Sequence, residues 1–228
     1  MQISIIIPVL NESAAISGTL DHLQKVAPTA ELLVVDGGSE DGTPDIVRKT
    51  CPQARLLESH RGRARQMNLG AQEAGGDWLL FLHGDTRLPD GFLQALDRAE
   101  ADGFEVGAFG LWIDGRHPLL PLLSWGATWR TRLRRIFLGD QAPFMRRQLF
   151  DRMGGFPLLS LMEDYEFSRR LRKNRIPLFV SPLRVSTSGR RWDKGGFFRT
   201  WLLMRWIYFY YHWRGTTELP ASRYHHQR

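Results

Sequence analysis

Between Ile3 and Leu82, short runs of Ile, Val and Leu alternate with longer stretches of helical periodicity. That alternation constrains the fold more than any other feature, because repeated β-α-β units build a mostly parallel sheet covered by helices on both faces. The strand candidates are Ile3–Val9, Glu31–Val35, Arg55–Leu57 and Trp78–Leu82, rich in Ile, Val and Leu as doubly covered strands are. Helices are expected over Ser13–Val26, Thr43–Lys49 and Arg63–Ala74. Farther on, FEVGAFGLWID from Phe104 to Asp114 reads as an antiparallel strand, and Met162–Lys173 carries Tyr165, Phe167 and Leu171 at helical spacing. The expected class is α/β, a mixed, mostly parallel central sheet flanked by helices. No repeat, linker or low-complexity tract interrupts the chain up to about Arg190, so one domain is expected over residues 1–190 and a helical tail over 191–228. With 43% hydrophobic and 24% charged residues, the chain can bury a core instead of remaining disordered.

In an open α/β sheet, ligands gather beyond the carboxyl ends of the strands, where loops and helix N-termini converge. The first such loop, PVLNE, presents Pro8, Asn11 and Glu12, although Asn11 or Ser13 also reads as a helix cap. The second, VVDGGSEDGT, closes its strand on Asp36, with Ser39 in the turn. A plain βα turn accounts for it; so does a carboxylate that accepts a hydrogen bond from the N3–H of uracil or thymine. The third, HRGRARQMNLGA, sets Arg61, Arg63 and Arg65 around a helix start, which suits a diphosphate through charge and the helix dipole, while a solvated basic face fits any one of them. The fourth, LLFLHGDT, places His83 and Asp85 at a strand end, where a hard oxygen ligand can hold Mg²⁺ or Mn²⁺, or where Asp simply caps a β-turn. In SLMEDYEFSRRLRK, Glu163 and Asp164 begin a helix, a position that suits acids electrostatically and from which Asp164 can take a proton from an attacking hydroxyl.

Taken in order, IIIPVLNE, VVDGGSEDGT, GRARQMNLGA, LLFLHGD and the later GGF with ED resemble glycosyltransferase family 2, over about residues 3 to 190. GDQAPFMRRQLF is similar to a bacterial subgroup, transferase 2, associated with radical-SAM and selenodomain proteins. The resemblance implies the GT-A nucleotide-sugar fold and a single displacement with inversion from a nucleotide-diphosphate sugar, taken as a UDP-sugar. It implies Pro8, Asn11, Glu12 and Asp36 toward base and ribose, with Ser39, Gly62, Arg65 and His83 also on the donor. Asp85 resembles the last Asp of the family's DxD metal motif, served by Mn²⁺ or Mg²⁺, and Asp164 the base of its ED motif beside Glu163. His83 stands where the first acid of DxD belongs, so the carboxylate pair is incomplete and an imidazole takes one place. SGRRW at Ser188–Trp192 is similar to QxxRW without its Gln; Arg191 and Trp192, with Asp140 and Gln141, are assigned to acceptor or sugar.

The net charge of +7, from 31 Lys and Arg against 24 Asp and Glu, favours anionic partners: diphosphates, acidic lipid surfaces or nucleic acid. Nucleic acid is not expected, because no recognised module interleaves the basic residues with aromatics. The single Cys51 forms no intramolecular disulfide, the first residues contain no basic leader before their apolar run, and no run of about 18 uncharged apolar residues occurs. A cytoplasmic protein is expected, peripheral on the inner face of the cell membrane if the tail binds lipid. That tail, FFRTWLLMRWIYFYYHW from Phe197, is apolar nearly all round; it either packs on the domain or on a second subunit, or it lies at a membrane interface and serves a lipid-linked acceptor. Competing readings are a sugar nucleotidyltransferase, which would carry a Gly- and Arg-rich loop after the first strand, and a non-catalytic relative that only binds the donor. A dehydrogenase fits less well still, because no GxGxxG follows that strand.

Overall fold

The computed structural model describes residues 1–214; the His225–His226 pair and the rest of the expected tail lie outside the described residues. The first third is three β-α units and a closing strand: β1 (Ile3–Val9), α1 (Ile16–Val26), β2 (Glu31–Asp36), α2 (Thr43–Thr50), β3 (Arg55–Glu58), α3 (Arg63–Glu73) and β4 (Trp78–Phe81). All four strands run parallel, with β1 between β2 and β4 and β3 outside β2. Then follow β5 (Thr86–Arg87), α4 (Phe92–Ala101), β6 (Val106–Asp114), α5 (Leu120–Arg134), a 3-10 turn at Gly139–Gln141, β7 (Phe144–Arg146), α6 (Arg147–Arg152), α7 (Glu163–Lys173), β8 (Phe179–Ser188), α8 (Arg190–Gly195) and α9 (Phe197–Arg214). The eight strands form one sheet in the order β3-β2-β1-β4-β7-β6-β8-β5.

β7 lies antiparallel to both β4 and β6 and turns the sheet from parallel to mixed. The strand expected to be antiparallel, β6, is so only against β7; its longer partnership, with β8, is parallel. Alternate residues of the buried strands feed two separate cores, as the two-residue repeat of a strand requires. Ile5, Ile7, Val34 and Leu80 pack with Leu20 of α1, Val47 of α2 and Leu96 of α4. Ile6, Leu33, Val35, Leu79 and Phe81 pack with Met67 of α3, Leu149 of α6 and Phe167 of α7. In this second core Phe81, Phe150, Phe156 and Phe167 form an aromatic cluster with centroids 4.8 to 5.7 Å apart. Such contacts contribute roughly 0.5–1.5 kcal/mol per pair beyond burial. Gly70 lets α3 approach β1: a Cβ there would sit 2.5 Å from an Ile6 methyl.

α5 inverts the usual pattern. Its inward positions Leu120, Ser124, Thr128 and Thr131 are mostly hydroxyls, while Leu122, Trp125, Trp129 and Leu133 face outward. The reason lies in β6, which outruns β7 and leaves backbone donors without a strand partner on that side. The Leu111 N–H donates to Thr128 Oγ1 (3.0 Å) and the Ile113 N–H to Ser124 Oγ (2.9 Å), so two hydroxyls on a helix replace a neighbouring strand. α9 packs one side inward through Thr200, Ile207 and Tyr211. Tyr211 joins Ile136 and Tyr165 in a small third cluster, with Leu138, Met162 and Tyr208 against it. At the start of α9, Phe197 meets Trp192 of α8 at 5.5 Å and stacks on His117 at 4.3 Å.

Candidate functional site

The four expected loops meet at the carboxyl edge of β1, β2 and β4. Asp36, 5% exposed, ends β2 and organises its own loop: Oδ2 accepts from the Gly38 and Ser39 N–H groups at 3.0 and 2.9 Å, and Oδ1 from the Ser39 hydroxyl. Ser39 Oγ in turn accepts the Asn11 N–H at 2.9 Å, and Asn11 Oδ1 accepts the Glu40 N–H at 2.9 Å. Asn11 holds φ at 55°, a left-handed conformation that Asn tolerates better than most residues. Neither Asn11 nor Ser13 caps a helix: α1 starts at Ile16 without a side-chain cap, because both residues are tied to the β2 loop. Ser13 N–H donates to Asp41, whose carboxyl is held well below the ordinary range; desolvation opposes this, and hydrogen bonds from Thr43 and Ser13 outweigh it. Gln66, buried on α3, clamps the strand ends by donating to the Val9 and Val35 carbonyls at 2.7 and 2.8 Å. Pro8, half-buried, lies opposite Val35 in the β1–β2 register.

From Glu12 the connection crosses to the far end of the chain. The Arg190 guanidinium donates to Glu12 and lies 3.3 Å from Asp85 Oδ2, so two carboxylates of different loops converge on one cation. His83, two residues before Asp85, turns toward the 3-10 turn: a Cβ on Gly139 would lie 2.9 Å from His83 Nε2 and 3.1 Å from Asp164 Oδ2. The Gly139 N–H donates to that same Asp164 oxygen at 2.6 Å, and Asp164 Oδ1 accepts the Tyr165 N–H. Glu163 is buried beside it, with Arg63 at 3.7 Å, and Arg63 is the first residue of α3 after Gly62. Gly62 has φ 139°, a conformation suited to glycine, and Arg65 on the same turn is exposed. Two sets of contacts result: Asp36, Ser39 and Asn11 with Glu12, Arg190 and Asp85 on one side, and His83, Gly139 and Asp164 with Glu163 and Arg63 on the other, while Gln66 of α3 ties the ends of β1 and β2.

Asp140 follows Gly139 in the 3-10 turn, within electrostatic reach of Asp164 and Arg63. Its Oδ1 is buried without a hydrogen-bond partner among the described residues. Burial, followed by the charge of Asp164, pushes its carboxyl up to about 6, while Arg130, Arg63 and Arg191 pull the other way. Gln141 has a different place. It is fully buried, with its amide oxygen accepting from Thr131 (2.8 Å) and the Leu138 N–H (3.2 Å) and its amide nitrogen donating to the Phe109 carbonyl (3.1 Å), so it holds the turn instead of facing a ligand. Trp192 packs on Phe197 and the core, and Arg191 is half-buried and within electrostatic reach of Asp140. Sequence reasoning missed Gly139, Arg190 and Gln66. Two of these flank residues it did select, Asp140 and Arg191, and Gln66 differs from a surface helix residue only by its buried position.

Among the described residues no three His, Cys, Asp or Glu side chains form a ready metal cluster. The donor set present is Asp85 with Glu12 at the shared cation, and His83 nearby in sequence.

The sequence profile of glycosyl transferase family 2 matches residues 4–155. A PGL/p-HBAD biosynthesis glycosyltransferase of Mycobacterium bovis is 33% identical over 193 residues, covering 75% of this chain and 70% of the relative. An undecaprenyl-phosphate 4-deoxy-4-formamido-L-arabinose transferase of Aeromonas hydrophila is 25% identical over 114 residues, 46% of this chain and 35% of that protein. Among solved structures, a mannosyltransferase from Pyrobaculum calidifontis in complex with GDP-Man and Mn²⁺ superposes with a TM-score of 0.64 at 23% identity, covering 81% of this chain. S. aureus TarS 1-349 in complex with UDP-GlcNAc superposes with a TM-score of 0.65 at 21% identity, covering 83%. The chain spans 56% and 59% of those two structures, which share its α/β GT-A fold.

Proposed function

As the chain belongs to glycosyl transferase family 2, we propose that it transfers a sugar, with inversion, from a nucleotide-diphosphate sugar to an acceptor hydroxyl, with Asp164 as the general base. The observation that carries this reading is the convergence at Gly139: Asp164, His83 and Asp140 gather there beside the carboxyl edge of the parallel strands, where the loops of β1 and β2 also end. The GDQAPFMRRQLF segment that includes Gly139 supports placing the chain in the transferase 2 subgroup.

The base and ribose lie along Pro8, Asn11, Glu12, Asp36 and Ser39. Asp36 already accepts three hydrogen bonds, so it presents a fixed carboxylate edge with one remaining lone-pair site for the N3–H of a uracil. The diphosphate then faces the start of α3, where Gly62 keeps the backbone open and Arg63 and Arg65 add charge to the helix dipole. The point between Glu12 and Asp85 fits a cation, since it already holds the Arg190 guanidinium, and both carboxylates are hard oxygen donors suited to Mn²⁺ or Mg²⁺. Asp85 and Glu12, with His83 at hand, would hold such a divalent ion, which would supply charge neutralisation for the departing diphosphate. Asp164 removes the proton of the acceptor hydroxyl as its oxygen attacks the anomeric carbon from the side opposite the nucleotide. The Gly139 N–H aims the carboxylate, and Asp140 and Arg191 line the acceptor side. A lipid-linked acceptor agrees with the undecaprenyl phosphate in the name of the Aeromonas relative.

Asp164→Asn tests the assignment. Thermal stabilisation by a panel of UDP-, GDP- and dTDP-sugars with Mn²⁺ should persist within about twofold in apparent affinity, while transfer should fall by roughly 10²–10⁴. Retained transfer, or equal loss of donor binding, refutes Asp164 as the base.

A further inference from the structure

α5 and α9 present an apolar face to solvent that the fold itself does not explain away. On α5, Leu122 is 64% and Trp125 53% exposed; on α9, Phe198 is 67% and Phe209 66% exposed. Single exposed hydrophobes are ordinary, but a contiguous face of them marks an interaction surface. The two helices are near one another at both ends. At their beginnings His117, just before α5, stacks on Phe197; at their far ends Ile136, just after α5, packs with Tyr211. α5 has 15 residues and α9 has 18, about 22 and 27 Å of helix. Both helices turn their anchoring positions inward, α5 through hydroxyls bound to β6 and α9 through Thr200, Ile207 and Tyr211, which leaves the outward sides unclaimed.

Chemistry selects the occupant. Residues 115–139 and 194–214 contain no Asp or Glu, whereas exposed Arg132, Arg134, Arg135, Arg199 and Arg205 border the apolar side chains. Tryptophans among arginines, with no acid between them, complement an apolar layer beneath anionic headgroups. A second copy of the same face would set these arginines against one another. No described helix is long and apolar enough to cross a membrane, so the fit is to a bilayer surface.

We propose that the outer faces of α5 and α9 together dock the protein on an anionic phospholipid bilayer and bring an acceptor held in that bilayer to the Gly139–Asp164 site. The docking surface stands on the helices alone; only the acceptor clause rests on the transferase reading. The two are connected in the chain. α5 leads through Phe137 and Leu138 into Gly139 and Asp140, and α9 touches Tyr165, the neighbour of Asp164, through Tyr208 and Tyr211.

The test uses the full chain with sedimentable vesicles of phosphatidylcholine alone or with about a third phosphatidylglycerol. Binding should rise at least about tenfold with the anionic lipid, with a blue shift of tryptophan emission, and W125A/W129A should lose at least about tenfold while keeping the wild-type melting temperature. R132E/R134E/R135E should abolish the preference for phosphatidylglycerol. Failure of the wild type to bind phosphatidylglycerol vesicles, or unchanged binding by W125A/W129A, overturns the proposal. So does a stable dimer in sedimentation that W125A/W129A dissolves, because a second copy would then own the face. Donor stabilisation measured without lipid separates the two readings: donor binding without vesicle binding sinks the docking surface and spares the transferase, and vesicle binding without donor binding does the reverse.

Discussion

Replacing Asp140 by Asn should make the protein more stable above neutral pH and leave it nearly unchanged in acid. In the folded chain the Asp140 carboxyl is pushed from its ordinary 3.8 to about 6, chiefly by burial, and its Oδ1 finds no hydrogen-bond partner among the described residues. A group whose folded pKa lies above its unfolded value binds more protons when folded, so stability falls as pH rises from about 4 to about 6 and stays lowered beyond that. At about 1.4 kcal/mol per unit the displacement corresponds to roughly 3 kcal/mol. Asp140 is half-buried by solvent accessibility, so about 2 kcal/mol is the better expectation once water is allowed its screening. Urea denaturation of wild type and Asp140→Asn at pH 4 and pH 8 reads the difference directly, since the other carboxyls are common to both chains. The variant should gain about 2 kcal/mol at pH 8 and no more than about 0.5 kcal/mol at pH 4. A variant that is equal or weaker at pH 8 would show that Arg130, Arg63 and Arg191 fully compensate the ionised carboxylate, and the argument from burial would fail.

Two further perturbations probe other parts of the structure. Ser124→Ala with Thr128→Val should cost about 2–4 kcal/mol in denaturant unfolding, because the Leu111 and Ile113 N–H groups would be left buried without acceptors; a loss below about 1 kcal/mol would mean that water reaches that edge of β6. Arg190→Ala removes the guanidinium shared by Glu12 and Asp85, so the Mn²⁺ concentration needed for half-maximal thermal stabilisation should drop at least about fivefold; an unchanged or absent Mn²⁺ response would show that those carboxylates do not hold the ion.

The parallel half of the fold was legible because local and global signals agree there. β1, β2 and β4 are dominated by buried Ile, Leu and Val, and their boundaries fall within a residue of expectation. α1 starts three residues later than its pattern suggests because Asn11 and Ser13 spend their polar groups on the β2 loop. α5 escaped notice for a physical reason: a helix whose buried face is Ser124, Thr128 and Thr131 and whose exposed face is Leu and Trp reads inside out to any rule that places apolar residues inward. β7 has three residues and carries no periodicity of its own, yet it is the strand that changes the sheet from parallel to mixed. In the site, the carboxylates could be named from their loops. The partners that orient them, Gly139 for Asp164 and Arg190 for Asp85, lie 25 and 105 residues away and become neighbours only through the sheet order.

Met162 links the C-terminal helix to the chemistry. It stands immediately before Glu163 and Asp164 with φ at 67°, a conformation that costs a non-glycine residue about 1 kcal/mol and persists only where surrounding contacts enforce it. Those contacts are the cluster of Ile136, Tyr165, Tyr208 and Tyr211, half of which belongs to α9. Whatever loosens or tightens the grip of α9 therefore also sets how firmly the first turn of α7 is cocked, and an event at the outer surface of the protein acquires mechanical access to Asp164, the residue proposed to receive the proton.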